Sequence, residues 1–291
     1  MMRAAVIVNP AKADEPHLRE RVSDTLIAAG WSTPLWLETT PEDPGHGVAR
    51  TAVEAGAQLV IVCGGDGTVM ACLGALAGTN VALALIPLGT GNLLARNLGV
   101  PTDFTEALSV AVDGVDRRID LGRVADQPFA VMAGIGFDAA IMADAPERLK
   151  KTVGPLAYAL SGVKNLRGPQ FRIRMKIDQD LEFSRRARSV VIGNCGKLTG
   201  GLVLMPEAEV DDGWLDAIIL SPTGVVSWVA VAGRVISRKR KGHERVDHHR
   251  LRSMTIRCDR PEEVQVDGDT IGQARALSVT VDPLALVVRV G

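Results

Sequence analysis

The sequence lacks the features that mark disulfide-bonded, zinc-binding and membrane-spanning proteins. Its four cysteines, Cys63, Cys72, Cys195 and Cys258, are not spaced like those of a zinc site or a disulfide framework. The expected location is therefore a reducing compartment, the cytoplasm, with the thiols packed in the core. The apolar runs at the N-terminus and at 225–236 are too short for a signal peptide or a bilayer span, so we expect no embedded segment.

The sequence also has no large excess of charge and few aromatic residues. Its net charge is −1 at pH 7, and aromatic residues make up 3% of the chain. A near-neutral chain without interleaved basic and aromatic residues is a poor candidate for binding nucleic acid. The charge is nevertheless uneven, because residues 1–118 hold 8 basic and 13 acidic side chains whereas residues 119–291 hold 25 and 21. The second part is the one expected to face an acidic surface.

Two domains are predicted from the order of the segments. Apolar residues make up 46% of 291 residues, which is enough for one large or two ordinary folded domains. Strand-like and helix-like segments alternate over 2–113, as in a doubly wound α/β domain with a parallel sheet, and short strands then predict a mainly antiparallel β domain. The predicted boundaries are 1–116 and 117–291, with helices at 149–165 and 225–240. The final strand-like run, 284–290, is left open to pack on either domain.

Two glycine-rich turns stand between a predicted strand and a predicted helix. The first is formed by Gly64, Gly65, Asp66, Gly67 and Thr68. The second includes Gly89, Thr90 and Asn92. Such turns leave backbone N–H groups and a helix N-terminus open to phosphate oxygens. Two of them on neighbouring strands favour a nucleotide site over two tight strand-to-helix connections without a ligand.

These turns, GGDGT and PLGTGNLLARNLG, resemble the catalytic domain of the diacylglycerol kinases, in the branch of bacterial soluble lipid kinases related to the sphingosine kinases. The resemblance continues through GIGFDA at 134–139, PEAEVDDGWLD at 206–216 and VDGD at 266–269. It implies transfer of the γ-phosphoryl group of Mg-ATP to the hydroxyl of a diacylglycerol-like lipid, with the nucleotide in a cleft between the domains. It also implies a role in phospholipid synthesis, with the lipid presented at the inner face of a membrane.

The resemblance implies further nucleotide contacts from the loops after the first two strands. They would come from Asn9, Pro10 and Lys12 after the first strand and from Thr39 and Thr40 after the second. Related kinases have Asn-Pro-x-Ser-Gly at the first loop. This chain lacks the Ser-Gly pair, so Lys12 either supplies a positive charge there or is a solvated loop lysine.

Three acidic positions are candidates for chemistry. A carboxylate inside a phosphate turn repels the nucleotide unless a cation or a hydroxyl donor intervenes, so Asp66 either holds Mg²⁺, contacts the acceptor hydroxyl or caps the helix that follows. The resemblance makes Asp269 the general base, with Asp267 as the alternative. Without the resemblance, Asp-Gly at 267–268 is a plain hairpin turn.

The acidic loop before the strand at 214–220 is a candidate metal site. The resemblance implies a second, structural Mg²⁺ there, held by the side chain of Asp212 and the carbonyl groups of Glu209 and Trp214. One carboxylate with carbonyls and waters suits a hard cation. A hairpin turn explains the same loop equally well.

The segment 234–252 carries eight basic and two acidic residues. It either rests on an anionic membrane or forms a solvated helix end, and His243, His248 and His249 are interpreted as surface residues. The oligomeric state is left open between a monomer and a homo-oligomer. An NAD kinase, which shares GGDGT, and a catalytically silent nucleotide- or lipid-binding protein are the alternative functions.

Overall fold

The fold is described by a computed structural model that covers residues 2–136, 170–179, 181–198, 203–221 and 246–291. The predicted helices at 149–165 and 225–240 lie outside these residues. The chain divides into two compact units. The first comprises 1–121, 210–212 and 282–291, and the second comprises 122–209 and 213–281.

Strands and helices alternate along the first unit. They are β1 (Ala4–Val8), α1 (Leu18–Ala28), β2 (Leu35–Glu38), α2 (His46–Glu54), β3 (Leu59–Gly64), α3 (Asp66–Leu76), β4 (Ala82–Pro87), α4 (Leu93–Leu98) and α5 (Phe104–Asp113). The strands pair in the order β2, β1, β3, β4, and each pairing is parallel. α1 and α5 share one core cluster with the sheet, while α2 packs on α3. This confirms the predicted α/β fold with a parallel sheet.

Local signals explain most boundaries in this unit. β3 and β4 are continuous apolar runs that are buried on both faces, as strands of a parallel sheet must be. Asp103 caps α5 by accepting hydrogen bonds from the N–H groups of Thr105 and Glu106, and Gly30 follows α1 with a φ of +84°. One boundary differs from the prediction: α3 begins at Asp66, inside the glycine-rich turn at 64–68 and not after it, because Gly65 serves as its N-cap residue.

The second unit is mainly antiparallel, as predicted. The strands that follow α5 are β5 (Val115–Val124), β6 (Gln127–Phe129), β7 (Met132–Gly136), β8 (Phe171–Ile177), β9 (Leu181–Ala187), β10 (Ser189–Gly193), β11 (Leu215–Leu220), β12 (Val246–Leu251), β13 (Ser253–Val266) and β14 (Asp269–Val290). In this unit β13 pairs with β7, β8 and β14, and β10 pairs with β7 and β11. β11 pairs in turn with β12, and β8 with β9.

The end of β14 belongs to the first unit. Val287 and Val288 pair in parallel with Ala82 and Leu83 of β4. Arg289 anchors this end of the strand to α5, because its Nη1 donates a hydrogen bond over 3.3 Å to the carbonyl oxygen of Val112 at the C-terminal end of that helix. A cation at this position also interacts favourably with the helix dipole.

Candidate functional site

The carboxyl ends of β1 and β3 lie side by side in the first sheet. β1 pairs with β2 on one side and with β3 on the other, so the strand order reverses between β1 and β3. Open α/β sheets bind their ligands at this switch point, beyond the carboxyl ends of the strands. Asn9 follows β1 and Gly65 follows β3, so two of the predicted nucleotide motifs lie there.

The GGDGT turn presents an open helix N-terminus. Gly65 is the N-cap residue of α3 in an extended conformation, and no side chain caps this helix. The first N–H groups of a helix have no acceptor within the helix, and the helix dipole adds partial positive charge to them. A Cβ atom on Gly64 would lie 2.8 Å from the Cβ atom of Thr68, so glycine keeps the turn tight. The arrangement can bind an anion such as a phosphate group.

The side chain of Asn9 joins the β1 loop to the GGDGT turn. Its Nδ2 donates to Oγ1 of Thr68 over 3.2 Å, and its Oδ1 accepts from the N–H group of Ala11 over 3.0 Å. Residues Pro10–Lys12 form one turn of 3₁₀ helix and are exposed. Asn9 therefore holds two loops together at the switch point, and Lys12 lies on the exposed turn.

The carboxylate of Asp66 connects the two glycine-rich turns. Its Oδ2 accepts from the N–H group of Asn92 over 2.7 Å, and its Oδ1 accepts from the N–H group of Leu93 over 2.5 Å. Both donors stand at the start of α4, where a negative charge also meets the positive end of the helix dipole. Asp66 thus caps α4, a helix distant in sequence, and not the helix that contains it.

The same two turns approach each other through glycine. A Cβ atom on Gly89 would lie 2.7 Å from the Cα atom of Gly65, which is closer than real Cβ atoms come. Asn92 is buried and has a φ of +48°. Its side-chain Oδ1 accepts from the N–H group of Gly89 over 3.1 Å, and its Nδ2 donates to the carbonyl oxygen of Gly89 over 2.7 Å. Asn92 therefore supports the second turn, whereas Thr90 is exposed at the tip.

The loop after β2 is organised by an aspartate that the sequence analysis missed. The carboxylate of Asp43 accepts from the N–H groups of Gly45, Gly47 and Val48 over 3.2, 2.9 and 2.9 Å. These bonds, led by the one from Gly47, lower the pKa of Asp43 below its ordinary value of 3.8, although partial burial opposes them. Thr40, the predicted nucleotide contact, is exposed, and its Oγ1 accepts from the N–H group of Asp43 over 3.1 Å. The sequence signal for this role was an Asp shortly before a predicted helix, which is typical of a residue that caps the helix N-terminus.

The VDGD segment forms the β13–β14 hairpin. Asp267 and Gly268 have φ angles of +49° and +96°, which are those of a type I′ turn, and Val266 pairs with Asp269 across it. Asp267 is 8% exposed, and its carboxylate accepts from the three consecutive N–H groups of residues 130–132 over 2.9, 2.9 and 2.6 Å. The carboxylate of Asp267 therefore fixes this segment of backbone. Asp269 is exposed at the start of β14.

The acidic loop at 209–214 is anchored to β5. The carbonyl oxygen of Val210 accepts from the N–H group of Asp120 over 2.6 Å, and Asp211 forms an ion pair with Arg117 over 2.8 Å. Of the predicted metal ligands, Glu209 is exposed, and Asp212 and Trp214 are partly buried. Among the described residues, no three His, Cys, Asp or Glu side chains gather in a way that could hold a metal ion.

Asp120 is a second carboxylate that the sequence analysis missed. It is fully buried, and its Oδ1 accepts from the N–H group of Leu284 over 2.7 Å. Its backbone N–H group holds the acidic loop, so one residue joins β5 to two distant segments of the first unit. The signal in the sequence was an Asp between Ile119 and Leu121, where a buried strand is otherwise apolar.

The described part of the basic segment 234–252 is residues 246–252. The guanidinium carbons of Arg250 and Arg252 lie 5.3 and 4.5 Å from the centre of the Trp214 ring. Both arginines are exposed, so each cation–π contact contributes about 0.5–1 kcal/mol. The predicted membrane contact of the segment remains a prediction.

The two described histidines of the same region have different environments. Nε2 of His248 lies 2.6 Å from Oδ1 of Asp216, which is buried. His249 is half-buried against the ring of Phe183, and this burial, together with the positive charge of Arg185, lowers its pKa. His249 is therefore a packed residue, not the plain surface residue of the sequence analysis.

All four thiols are free and lie in or near the core. Burial raises the pKa of Cys63 and Cys72 to about 12 and that of Cys258 to about 11. Burial, aided by the charge of Asp267, also raises the pKa of Cys195. A protonated thiol is a poor nucleophile, so these cysteines are packing residues, as expected.

Comparison with known proteins decides the family. A family profile described as the diacylglycerol kinase catalytic domain matches residues 3–124. A second, described as the YegS C-terminal NAD kinase beta sandwich-like domain, matches residues 130–290. The chain belongs to the diacylglycerol kinase family. The two profiles together extend over most of this chain.

Individual relatives support the same family assignment. A diacylglycerol kinase of Staphylococcus saprophyticus is 29% identical over 283 residues, which cover 93% of this chain and 90% of the relative. A probable YegS-like lipid kinase of Chromohalobacter salexigens is 37% identical over 224 residues, which cover 74% of this chain and 70% of the relative. The chain is thus a lipid kinase, a transferase whose acceptor is an alcohol group.

Solved structures show the same fold. A putative diacylglycerol kinase from Bacillus anthracis matches with a TM-score of 0.81 at 23% identity, covering 99% of this chain and 97% of that one. An NAD kinase from Archaeoglobus fulgidus, solved with ATP, matches with a TM-score of 0.55 at 13% identity, covering 99% and 93%. Within the described residues, no helix is long and apolar enough to cross a bilayer.

Proposed function

We propose that this kinase transfers the γ-phosphoryl group of ATP to the hydroxyl group of a diacylglycerol-like lipid. The observation that carries the proposal is the open N-terminus of α3 at the β1/β3 switch point, braced by Asp66 against the start of α4. Relatives named diacylglycerol kinase support the acceptor class. The four free thiols suit a reducing compartment, so the proposal includes a cytoplasmic location, with the lipid reached from the inner face of the membrane.

The residues of the first unit have distinct proposed roles. The N–H groups at 65–68 would bind phosphate oxygens, helped by the hydroxyl group of Thr68. Thr90, Lys12 and Thr40 offer exposed side chains to the rest of the nucleotide. Asn9, Gly89 and Asn92 would act by shaping the turns, because their polar groups already bond to neighbouring loops.

In the proposed reaction, the acceptor oxygen forms a bond to the γ-phosphorus as the bond from that phosphorus to the bridging oxygen breaks, and ADP leaves. The proton of the acceptor hydroxyl passes to the carboxylate of Asp269. We assign this role to Asp269 because it is exposed, whereas three backbone N–H groups occupy the carboxylate of Asp267. The transition state of phosphoryl transfer is loose, so the acceptor hydroxyl can lose its proton late in the reaction and a weak base is sufficient.

Mg²⁺ fits this scheme as a companion of ATP. Magnesium is usually held by one or two carboxylates together with substrate phosphates. Asp66 is the carboxylate inside the phosphate turn; each of its oxygens already accepts one backbone N–H group, so it would contact the ion through its remaining lone pairs. When bound, the ion would neutralise charge on the phosphate groups. The second site, with Asp212, Glu209 and Trp214, remains a separate proposal.

The test is an assay with ATP labelled in its γ-phosphate and a panel of acceptors. The panel holds diacylglycerol, monoacylglycerol, sphingosine and NAD⁺, each with Mg²⁺. We expect label in the organic phase with diacylglycerol. Labelled NADP⁺ would make the chain an NAD kinase, and nucleotide binding without transfer to any acceptor would make it a silent binding protein.

A further inference from the structure

One surface of the β8, β9 and β13 strands is strongly basic. β8 alternates strictly, with Phe171, Ile173, Met175 and Ile177 buried on one side. Every residue on its other side is basic and exposed: Arg172, Arg174 and Lys176. With Arg186 of β9 and Arg257 of β13, which are also exposed, these residues form what we call the basic face.

The strand register places like charges directly opposite each other on this face. Arg172 pairs with Arg186 of β9, and Arg174 pairs with Arg257 of β13. Directly opposed residues lie on the same side of a sheet, and like charges in such pairs destabilise it. Two Arg–Arg pairs on neighbouring rows therefore do not serve the stability of the unit.

Few acidic groups balance the basic face. Glu182 forms an ion pair with Arg174 over 2.7 Å, but the two side chains are 53% and 70% exposed, so the pair is weak. Among the residues that the structure describes, the other acidic residue on this side is Asp259, whose Oδ1 accepts from the backbone N–H group of Arg172 over 3.1 Å. Five described basic side chains thus face two described acidic ones, with Ser184 and Thr255 between them.

We propose that the basic face docks the kinase on an anionic phospholipid bilayer. The proposal rests on the proposed function, because a lipid acceptor resides in a bilayer. The charge of the face is complementary to the negative surface of such a membrane, where each nearby basic residue strengthens binding. The described side chains on this face include no aromatic ring on which a base could stack, so a membrane fits better than a single-stranded nucleic acid.

The test is co-sedimentation of the full chain with two kinds of vesicle. One is phosphatidylcholine alone, and the other is phosphatidylcholine mixed with phosphatidylglycerol. We expect binding to the mixed vesicles only, weakened by added salt. The Arg172→Gln/Arg186→Gln variant should bind them about 30-fold more weakly, since each basic residue contributes about fivefold. The variant Arg19→Gln/Arg50→Gln, which removes the same charge from exposed helix positions in the first unit, should bind as the wild type does.

Two further readouts separate docking from folding and from catalysis. Removing an Arg–Arg pair should leave the thermal unfolding temperature unchanged or raise it, because repulsion is relieved. Arg257→Gln alone should also weaken vesicle binding, which keeps the test open if the double variant does not fold. Equal binding to both vesicles, unchanged binding by the variants, or tighter binding to RNA would overturn the proposal. Phosphorylation of diacylglycerol dispersed in non-ionic detergent does not require docking, so its absence in the wild type would instead count against the proposed function.

Discussion

The exchange of Asp267 for Asn tests whether this carboxylate has a structural role. We expect the exchange to lower the stability of the fold, whereas the same exchange at Asp269, two residues away, should lower catalysis. Oδ1 of Asp267 accepts from the N–H groups of Val131 and Met132, and Oδ2 accepts from that of Ala130. Asn keeps one oxygen and replaces the other with an NH₂ group. The variant therefore loses the negative charge in two hydrogen bonds and sets a donor against a donor in the third.

The size of the effect follows from these three bonds. A hydrogen bond to a charged group contributes about 1.5–3 kcal/mol and a neutral one about 1 kcal/mol, so neutralising Oδ1 costs about 1 kcal/mol per bond. A buried N–H group left without an acceptor costs about 1–3 kcal/mol more. We expect the free energy of unfolding of the second unit to fall by about 3–5 kcal/mol in total. If local opening reflects this loss, the amide protons at 130–132 should exchange at least about 100-fold faster.

The matched control is Asp269→Asn, which makes the same chemical change at an exposed position of the same hairpin. It should alter the free energy of unfolding by less than about 0.5 kcal/mol, while kcat falls about 100-fold or more. Urea denaturation, amide exchange and the kinase assay measure the three quantities. An Asp267→Asn variant as stable as the wild type, or an Asp269→Asn variant with normal kcat, would refute the assignment.

Other changes test the rest of the account. Gly89→Ala should destabilise the first unit by about 1–3 kcal/mol and weaken ATP binding, because the new Cβ meets the Cα of Gly65 at 2.7 Å; normal stability and affinity would remove the contact from the argument. Asp43→Ala should lower stability by about 1 kcal/mol near neutral pH. The folded-state pKa of Asp43 lies below 3.8, so its hydrogen bonds contribute fully above that value. The difference in the free energy of unfolding between wild type and variant should therefore vanish as the pH falls through the folded-state pKa. A difference that persists in strong acid would contradict this. Cys258 should react with a thiol reagent before Cys63, Cys72 and Cys195 in the folded kinase, and faster labelling of any of these three would show an unrecognised opening. Mg²⁺ should raise the thermal unfolding temperature of the wild type but not of Asp212→Ala if the second metal site exists, and an equal rise in both would exclude Asp212 as its ligand.

Much of the fold was predictable because its signals are local. The buried runs at β3 and β4, the cap at Asp103 and the glycine after α1 each depend on a few neighbouring residues. The start of α3 was not predictable, since a glycine pair normally argues against a helix, whereas here Gly64 ends the strand and Gly65 is the N-cap residue of the helix.

The site was less predictable because its contacts join distant parts of the chain. The residue types in GGDGT indicate a phosphate-binding turn, whereas VDGD stood out from a plain hairpin turn only through the family resemblance. Nothing in either motif shows that Asp66 caps α4, 26 and 27 positions later, or that Asp267 binds backbone more than 130 positions earlier. Asp120 was overlooked for the same reason, since its partner, Leu284, lies 164 positions away. Only the packed fold distinguishes a carboxylate that holds backbone from one that is open to a substrate.

The most direct test of the central claim is transfer of label from γ-labelled ATP to diacylglycerol, measured for the wild type and for Asp269→Asn side by side. We expect labelled phosphatidic acid from the wild type, and a much slower reaction with unchanged ATP affinity from the variant. Label that remains in the aqueous phase with the wild type, or equal rates for the two proteins, would contradict it.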